Sequence, residues 1–271
     1  MKLLKSTFRT ILAQESNKWD PNGRWRLPSV AYTMEHKLAF LEREHYLCGG
    51  YSLNGLCHDV DKLFMYCNPT LNEKQIQQIH RSKRPHHVCP AQKKVKNLLE
   101  MFIDWDCAAI TKPDKPLDAY ATLLHFYPKQ IMVMFPICLA VNPDRVSPLV
   151  MDLDEKRKIG YSEYLFQSAD FNRNYYRQVC FCMASIAEKK NFCFEKIRDK
   201  SIEDMEPWEL FYCCLKILAR RRKQKVNLEK VQEVLKAKQD EFRRFDCFQI
   251  SVSPTALKHH FRMLSKNPFF E

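Results

Sequence analysis

The spacing of histidines and carboxylates between positions 36 and 104 constrains this chain more than any other feature. Five of its nine histidines fall there in a spaced series. His36 lies in MEHKLAFLE. His58 is followed directly by Asp59 in GLCHDVDKLF. His80, His86 and His87 share IHRSKRPHH, and Asp104 sits in LLEMFIDWDC. Neutral imidazoles and carboxylates in one set suit a divalent first-row metal. His45 stands inside the window but outside the pattern. With His125, His259 and His260 it reads as an ordinary core or surface histidine.

Local patterns put these residues on helices. MEHKLAFLEREHYLC carries apolar residues at Leu38, Phe40, Leu41 and Leu47 and stops at Gly49-Gly50, a helix with a glycine end. Asn54-Gly55 signals a turn, after which LCHDVDKLFMYC reads as a second helix. On that helix His58 and Asp59 point about 100° apart, so one ion must sit between their directions. Val95, Leu98, Leu99, Phe102 and Ile103 form an apolar stripe over 92–110, with Asp104 and Asp106 near its end. An acid beside such a stripe faces the interior and needs a partner. Ligands drawn from several helices around an ion are a common way for a bundle to build a metal site.

The order H…HD…H…HH…D resembles the HD-domain superfamily of metal-dependent phosphohydrolases. It is more closely similar to a group of small HD-like proteins of bacteria and their phages. The segments that carry the likeness are GLCHDVDK (55–62), HRSKRPHH (80–87) and EMFIDWDCAA (100–109), and it spans roughly residues 30 to 130. The resemblance implies an all-α, HD-domain-like bundle. It implies a minimal metal set of His36, His58, Asp59 and Asp104, with Asp106 the alternative to Asp104. His80, His86 and His87 then serve a second metal or the substrate phosphate, His80 and His86 ahead of His87. Asp61 departs from the pattern, where many members carry a small residue.

The implied activity is hydrolysis of a nucleotide-like phosphomonoester or phosphodiester, supported by one or two divalent ions (Mn, Fe, Zn, Co, Ni or Mg). Asp59 and Lys62 are the catalytic candidates. Lys62 follows Asp59 by three residues and shares nearly the same helix face. Arg81, Lys83 and Arg84 lie between candidate ligands, where they either bind an anionic substrate or stand as solvated charges. Arg26 belongs to a Trp- and Arg-rich loop over 16–30 that either packs on its tryptophans or offers a phosphate contact.

Composition bounds the rest. Only five glycines and few alternating apolar runs favour helices over a sandwich or barrel. A net charge of +12 and a pI near 9.1 attract anions, whether nucleotides, nucleic acid or an acidic surface. Twelve cysteines without a CxxC pair, in a chain this long, read as reduced, mostly buried thiols of a cytoplasmic protein. The longest apolar run, IMVMFPICLAV (131–141), is too short for a bilayer and reads as a buried segment.

Residues 1–30 read as an N-terminal helix and loop, 31–150 as the metal-binding core, and 151–271 as further helices packed on it. Those further helices include 161–190, 207–222, 226–244 and 250–264. Two rival functions come from other classes. One is a non-enzymatic nucleic-acid- or nucleotide-binding protein with a structural metal. The other is a di-iron oxygenase of the HD type.

Overall fold

A computed structural model describes residues 26–87, 94–111, 118–148, 169–244 and 267–271. Among them the chain is all-α, and extended pairing is limited to one antiparallel bridge between Val226 and Phe270. The expected helices at 1–15 and 250–264 lie outside the described residues.

The first helix, α1, is Leu27–Cys48. It starts earlier than the sequence suggested, because Pro28 lies in its first turn, where a missing N–H costs nothing. Its stop is as expected. Gly49 takes φ 75° and donates its N–H to the His45 carbonyl. A Cβ there would also come within 2.8 Å of the Arg222 side chain, so conformation and space both demand glycine.

Two short helices follow, α2 (Leu53–Leu56) and α3 (Val60–Tyr66). Helix α4 (Glu73–Lys83) opens on a complete capping box between Asn72 and Gln75. It runs three residues beyond the expected end, so Arg81 and Lys83 are helical rather than part of a basic loop. Ile76 and His80, four apart, are its buried face.

Helix α5 is Val95–Thr111 and α6 is Ala119–Phe126. Helix α7 (Ile131–Val141) is apolar on nearly every side and buried from Met134 to Val141, with Pro136 inside it. Helices α8 (Ala169–Ala187), α9 (Pro207–Arg222) and α10 (Leu228–Arg244) complete the helices of the described residues.

A helix that is apolar all round must be covered all round, and α7 explains the arrangement. Helix α9 packs along it most extensively, α8 lies against it, and α10 closes over α8. Helices α1 and α5 pair on the other side, with α9 touching both. One apolar core runs through Phe40, Leu99, Phe135, Phe211 and Phe242, joining the parts of the chain on either side of residue 150.

Candidate metal centre

Two helix faces build a polar seam inside this apolar frame. On α1, His36, Phe40 and Glu44 recur every four residues and all are buried. On α5, Glu100, Asp104, Cys107 and Thr111 recur at four, three and four, which also keeps one face. His36 Nε2 lies 2.8 Å from Asp104 Oδ1, and its Nδ1 is 3.5 Å from Thr111 Oγ1. Cys107 Sγ sits 3.6 Å from the His36 ring.

The His58-Asp59 pair comes from the turn between α2 and α3. This corrects the expectation of one continuous helix. Ser52 caps α2 by accepting from the Gly55 N–H, and the helical pattern breaks after Leu56. Asp59 takes φ 59°, ψ 6°, a left-handed conformation that aspartate tolerates better than most residues. The break turns both side chains inward together, which a helical step of about 100° does not.

Glu44 fixes that turn from beneath. Its carboxylate accepts from Ser52 Oγ at 2.6 Å and from Arg221 of α9 at 2.7 Å. Gly55 packs so closely on it that any Cβ would collide with the carboxylate. Lys37 holds the other side by donating to the Leu56 carbonyl, with the His58 carbonyl 3.5 Å away. Phe40 stacks under the His58 ring at 3.9 Å between centroids.

The expected histidines converge here. His80 Nε2 lies 3.0 Å from Asp59 Oδ1 and 2.9 Å from His87 Nε2. The His86 ring lies 4.7 Å from that of His58 and 4.2 Å from that of His87. Although adjacent, His86 and His87 both face the cluster. His58 Nε2 is 3.5 Å from Asp104 Oδ1 and 3.8 Å from Asp59 Oδ1. Ligand atoms ~2.1 Å from one ion stand roughly 3.0–3.4 Å apart in octahedral or tetrahedral geometry, close to these separations.

Three overlapping groups have ligand atoms within 4.8 Å of one another: Asp59 with His80, His86 and His87; His36 with His58 and Asp59; and His36 with Asp104 and Cys107. Asp59 belongs to two of them. His58 Nε2, Asp59 Oδ1 and His86 Nε2 are buried without a hydrogen-bond partner. A buried polar atom left unpaired is costly. Divalent cations in the two groups that share Asp59 would complete all three, and the nitrogen and oxygen donors suit them.

The electrostatics of His86, His87, Asp59 and Asp104 agree with ligand duty. Burial pushes the pKa of His86 down to about 3, and His58 beside it adds to the effect. His87 is pushed down to about 4, again mainly by burial. Both rings are therefore neutral at pH 7 and keep a lone pair. Burial alone would raise the pKa of Asp59, but His80, His58 and Lys62 hold it far below the ordinary carboxylate range. Asp104 is likewise lowered against its burial, by His36 and His58. His36 differs: burial opposes its protonation, yet Cys107 and the Asp104 carboxylate raise its pKa well above the usual value, so this ring must give up a proton to bind a metal.

Beside the cluster opens a cleft of about 460 Å³, with His36, Asp104 and His87 on its wall. Lys62 lines it and pairs with Asp59 Oδ2 at 2.8 Å, one turn along α3. Arg81 lines it too and has no carboxylate partner among the described residues. The other basic candidates sit elsewhere. Arg84 Nε binds Asp61 Oδ2 at 3.0 Å, and Lys83 is exposed on α4. Arg26, the residue before α1, donates from its guanidinium to the Leu71 carbonyl in the α3–α4 loop and does not line the cleft. Asp106 points away from the cluster toward Arg43, at 3.3 Å.

Sequence reading missed several neighbours of the site. Asp61 Oδ2 accepts from His80 Nδ1 at 3.0 Å, which gives a role to the residue that departs from the resemblance. Cys107 was signalled by its spacing of three from Asp104. The aromatic side chains of the cleft, Tyr32, Trp105, Phe126 and Tyr127, gave no signal before α5 and α6 were placed together. Comparison with protein-family models, curated proteins and solved structures finds no match to this chain.

Proposed function

We propose that the protein is a metal-dependent phosphohydrolase of the HD type, acting on a nucleotide-like phosphomonoester or phosphodiester. One observation carries the proposal. Buried donor atoms without partners gather around Asp59 directly beside a cleft whose cations, Lys62 and Arg81, suit a phosphate.

His36, His58, Asp59 and Asp104 would hold one ion, and His80, His86 and His87, with Asp59 shared, a second. A bound divalent ion supplies an acidified water and polarises a phosphoryl oxygen. The remaining work falls to the chain. Lys62 holds Asp59 Oδ2, which leaves Oδ1 directed at the histidines. Lys62 and Arg81 offset charge on the phosphate as it builds in the transition state. Asp61, held by Arg84, orients His80.

The test is elemental analysis of the purified protein, paired with a screen of phosphate esters under added Mn, Fe, Zn, Co, Ni or Mg. Metal at one or two equivalents with ester hydrolysis supports the proposal. A metal-loaded protein inert toward every phosphate ester overturns it. The pair of groupings that share Asp59 also gives the oxygenase reading a footing. Bound iron with oxygen uptake would select that reading, as salt-sensitive nucleic-acid binding that survives loss of His58 would select the binding protein.

A further inference from the structure

The lining of the cleft beside the metal centre is of two kinds. One is charged or metal-binding: Lys62, Arg81 and the ligands His36, Asp104 and His87. The other is aromatic. Trp105 and Tyr127 lie with their ring centroids 4.6 Å apart and their planes 6° from parallel. Trp105 is 7% exposed, so it is fixed in the core, whereas Tyr127 is 41% exposed and stands at the opening. Phe126, beside it, is 40% exposed.

Exposed aromatic rings are costly to keep unless something covers them. Here they are not scattered over the surface but line a concave site with convergent charges, the usual form of a small-ligand pocket. Lys62, Arg81, Trp105 and Tyr127 line the same cleft, so platform and phosphate site lie within one ligand's reach. The cleft volume of about 460 Å³ falls in the range of about 300–1,000 Å³ typical for ligands of modest size. A ligand matching both kinds of lining carries a phosphate and a flat, weakly polar ring.

Resting on the phosphohydrolase reading, we propose that the Trp105–Tyr127 platform is a base-stacking subsite, and that the substrate is a mononucleotide whose base lies on Tyr127 while its phosphate meets Lys62 and Arg81. Stacking a base on an aromatic side chain contributes about 1–3 kcal/mol, or roughly 5- to 150-fold in affinity. Any base presents a π face, so Tyr127 selects for the presence of a base rather than for one base. Trp105 is a support that keeps the Tyr127 ring in place.

The test compares adenosine 5′-monophosphate with ribose 5-phosphate, which keeps the phosphate and sugar but lacks the base. Calorimetric titration into the Mn-loaded protein should show the nucleotide bound at least fivefold more tightly. Tyr127→Ala should remove that difference by weakening the nucleotide alone, while Tyr127→Phe should restore it. Hydrolysis of the two esters should show the same preference, mainly in KM. Equal binding of the two ligands, or a Tyr127→Ala protein weakened equally toward both, overturns the subsite even if both esters are hydrolysed. Tyr127-dependent nucleotide binding without hydrolysis keeps the subsite and fails the hydrolase reading instead. Binding of an oligonucleotide that tightens with each added nucleotide would overturn the mononucleotide in favour of a nucleic-acid strand.

Discussion

Asp61 Oδ2 lies 3.0 Å from Nδ1 of His80, whose other nitrogen, Nε2, lies 3.0 Å from Asp59 Oδ1. Burial alone would raise the pKa of Asp61, but Arg84 and His80 hold it below the ordinary value, so its carboxylate can only accept. A proton held on Nδ1 by Asp61 would leave the Nε2 lone pair of His80 free for an ion in the cluster.

Loss of Asp61 should thus loosen the metal without opening the fold. Partners of this kind are typically worth about 10- to 100-fold in metal affinity. Asp61→Ala should weaken binding at the Asp59–His80 group by that factor in a calorimetric titration, with an unchanged helical circular-dichroism spectrum. Wild-type affinity would remove Asp61 from the site.

Metal should also stabilise the protein against heat. A ligand at 100 times its Kd adds about 2.7 kcal/mol, which for a chain of this size raises Tm by roughly 5–10 °C. A chelator should reverse the shift. In Asp59→Asn the shift should vanish, because Asp59 belongs to both groups of candidate ligands that carry the His58 and His80 rings. An undiminished rise in that variant would place the metal elsewhere.

Lys62 separates turnover from binding. Lys62→Ala should keep the fold and most of the metal but lose roughly a hundredfold or more in phosphate-ester hydrolysis, the usual scale for one transition-state charge contact. Rates of the folded, metal-loaded variant decide the matter; unchanged turnover would show that Lys62 only buttresses Asp59.

Gly55 offers a structural test. Alanine there collides with the Glu44 carboxylate, which Ser52 and Arg221 pin in place. Gly55→Ala should cost about 1–3 kcal/mol by forcing that group away from its partners. Metal affinity should fall with it, since His58 lies three residues on. Denaturant melts beside metal titrations would reveal both losses, and a stable variant with weakened metal would show that the turn moves alone.

Much of this was legible from local pattern. Asn72 marked the start of α4, the stripe from Val95 to Ile103 marked α5, and the 131–141 run was read as buried. These signals depend on residues within a turn or two of one another. The His58-Asp59 turn was not legible, because apolar residues on both sides mimic one helix and hide a short break. Arg221 and Glu44 are 177 positions apart, and nothing local to either predicts their meeting. The cleft aromatics became a set only when α5 and α6 were packed. Whether Arg26 packs its loop or contacts a phosphate is open in the sequence, because its partner, the Leu71 carbonyl, lies 45 positions along the chain.

The Arg221–Glu44 bridge has a consequence for the order of events as the chain is made. Arg222 beside it also donates to the Leu47 carbonyl at 2.6 Å, so two adjacent arginines of α9 clamp the end of α1. Every candidate ligand has been synthesised by residue 107, but the support under the His58 turn arrives more than a hundred residues later. Contacts so distant in sequence form late. A nascent chain therefore carries a complete set of ligands on an unfinished scaffold, and we predict that firm metal loading waits for α9. Stalled chains released before and after residue 222 should differ sharply in metal retention; equal retention would separate the two ends of the molecule.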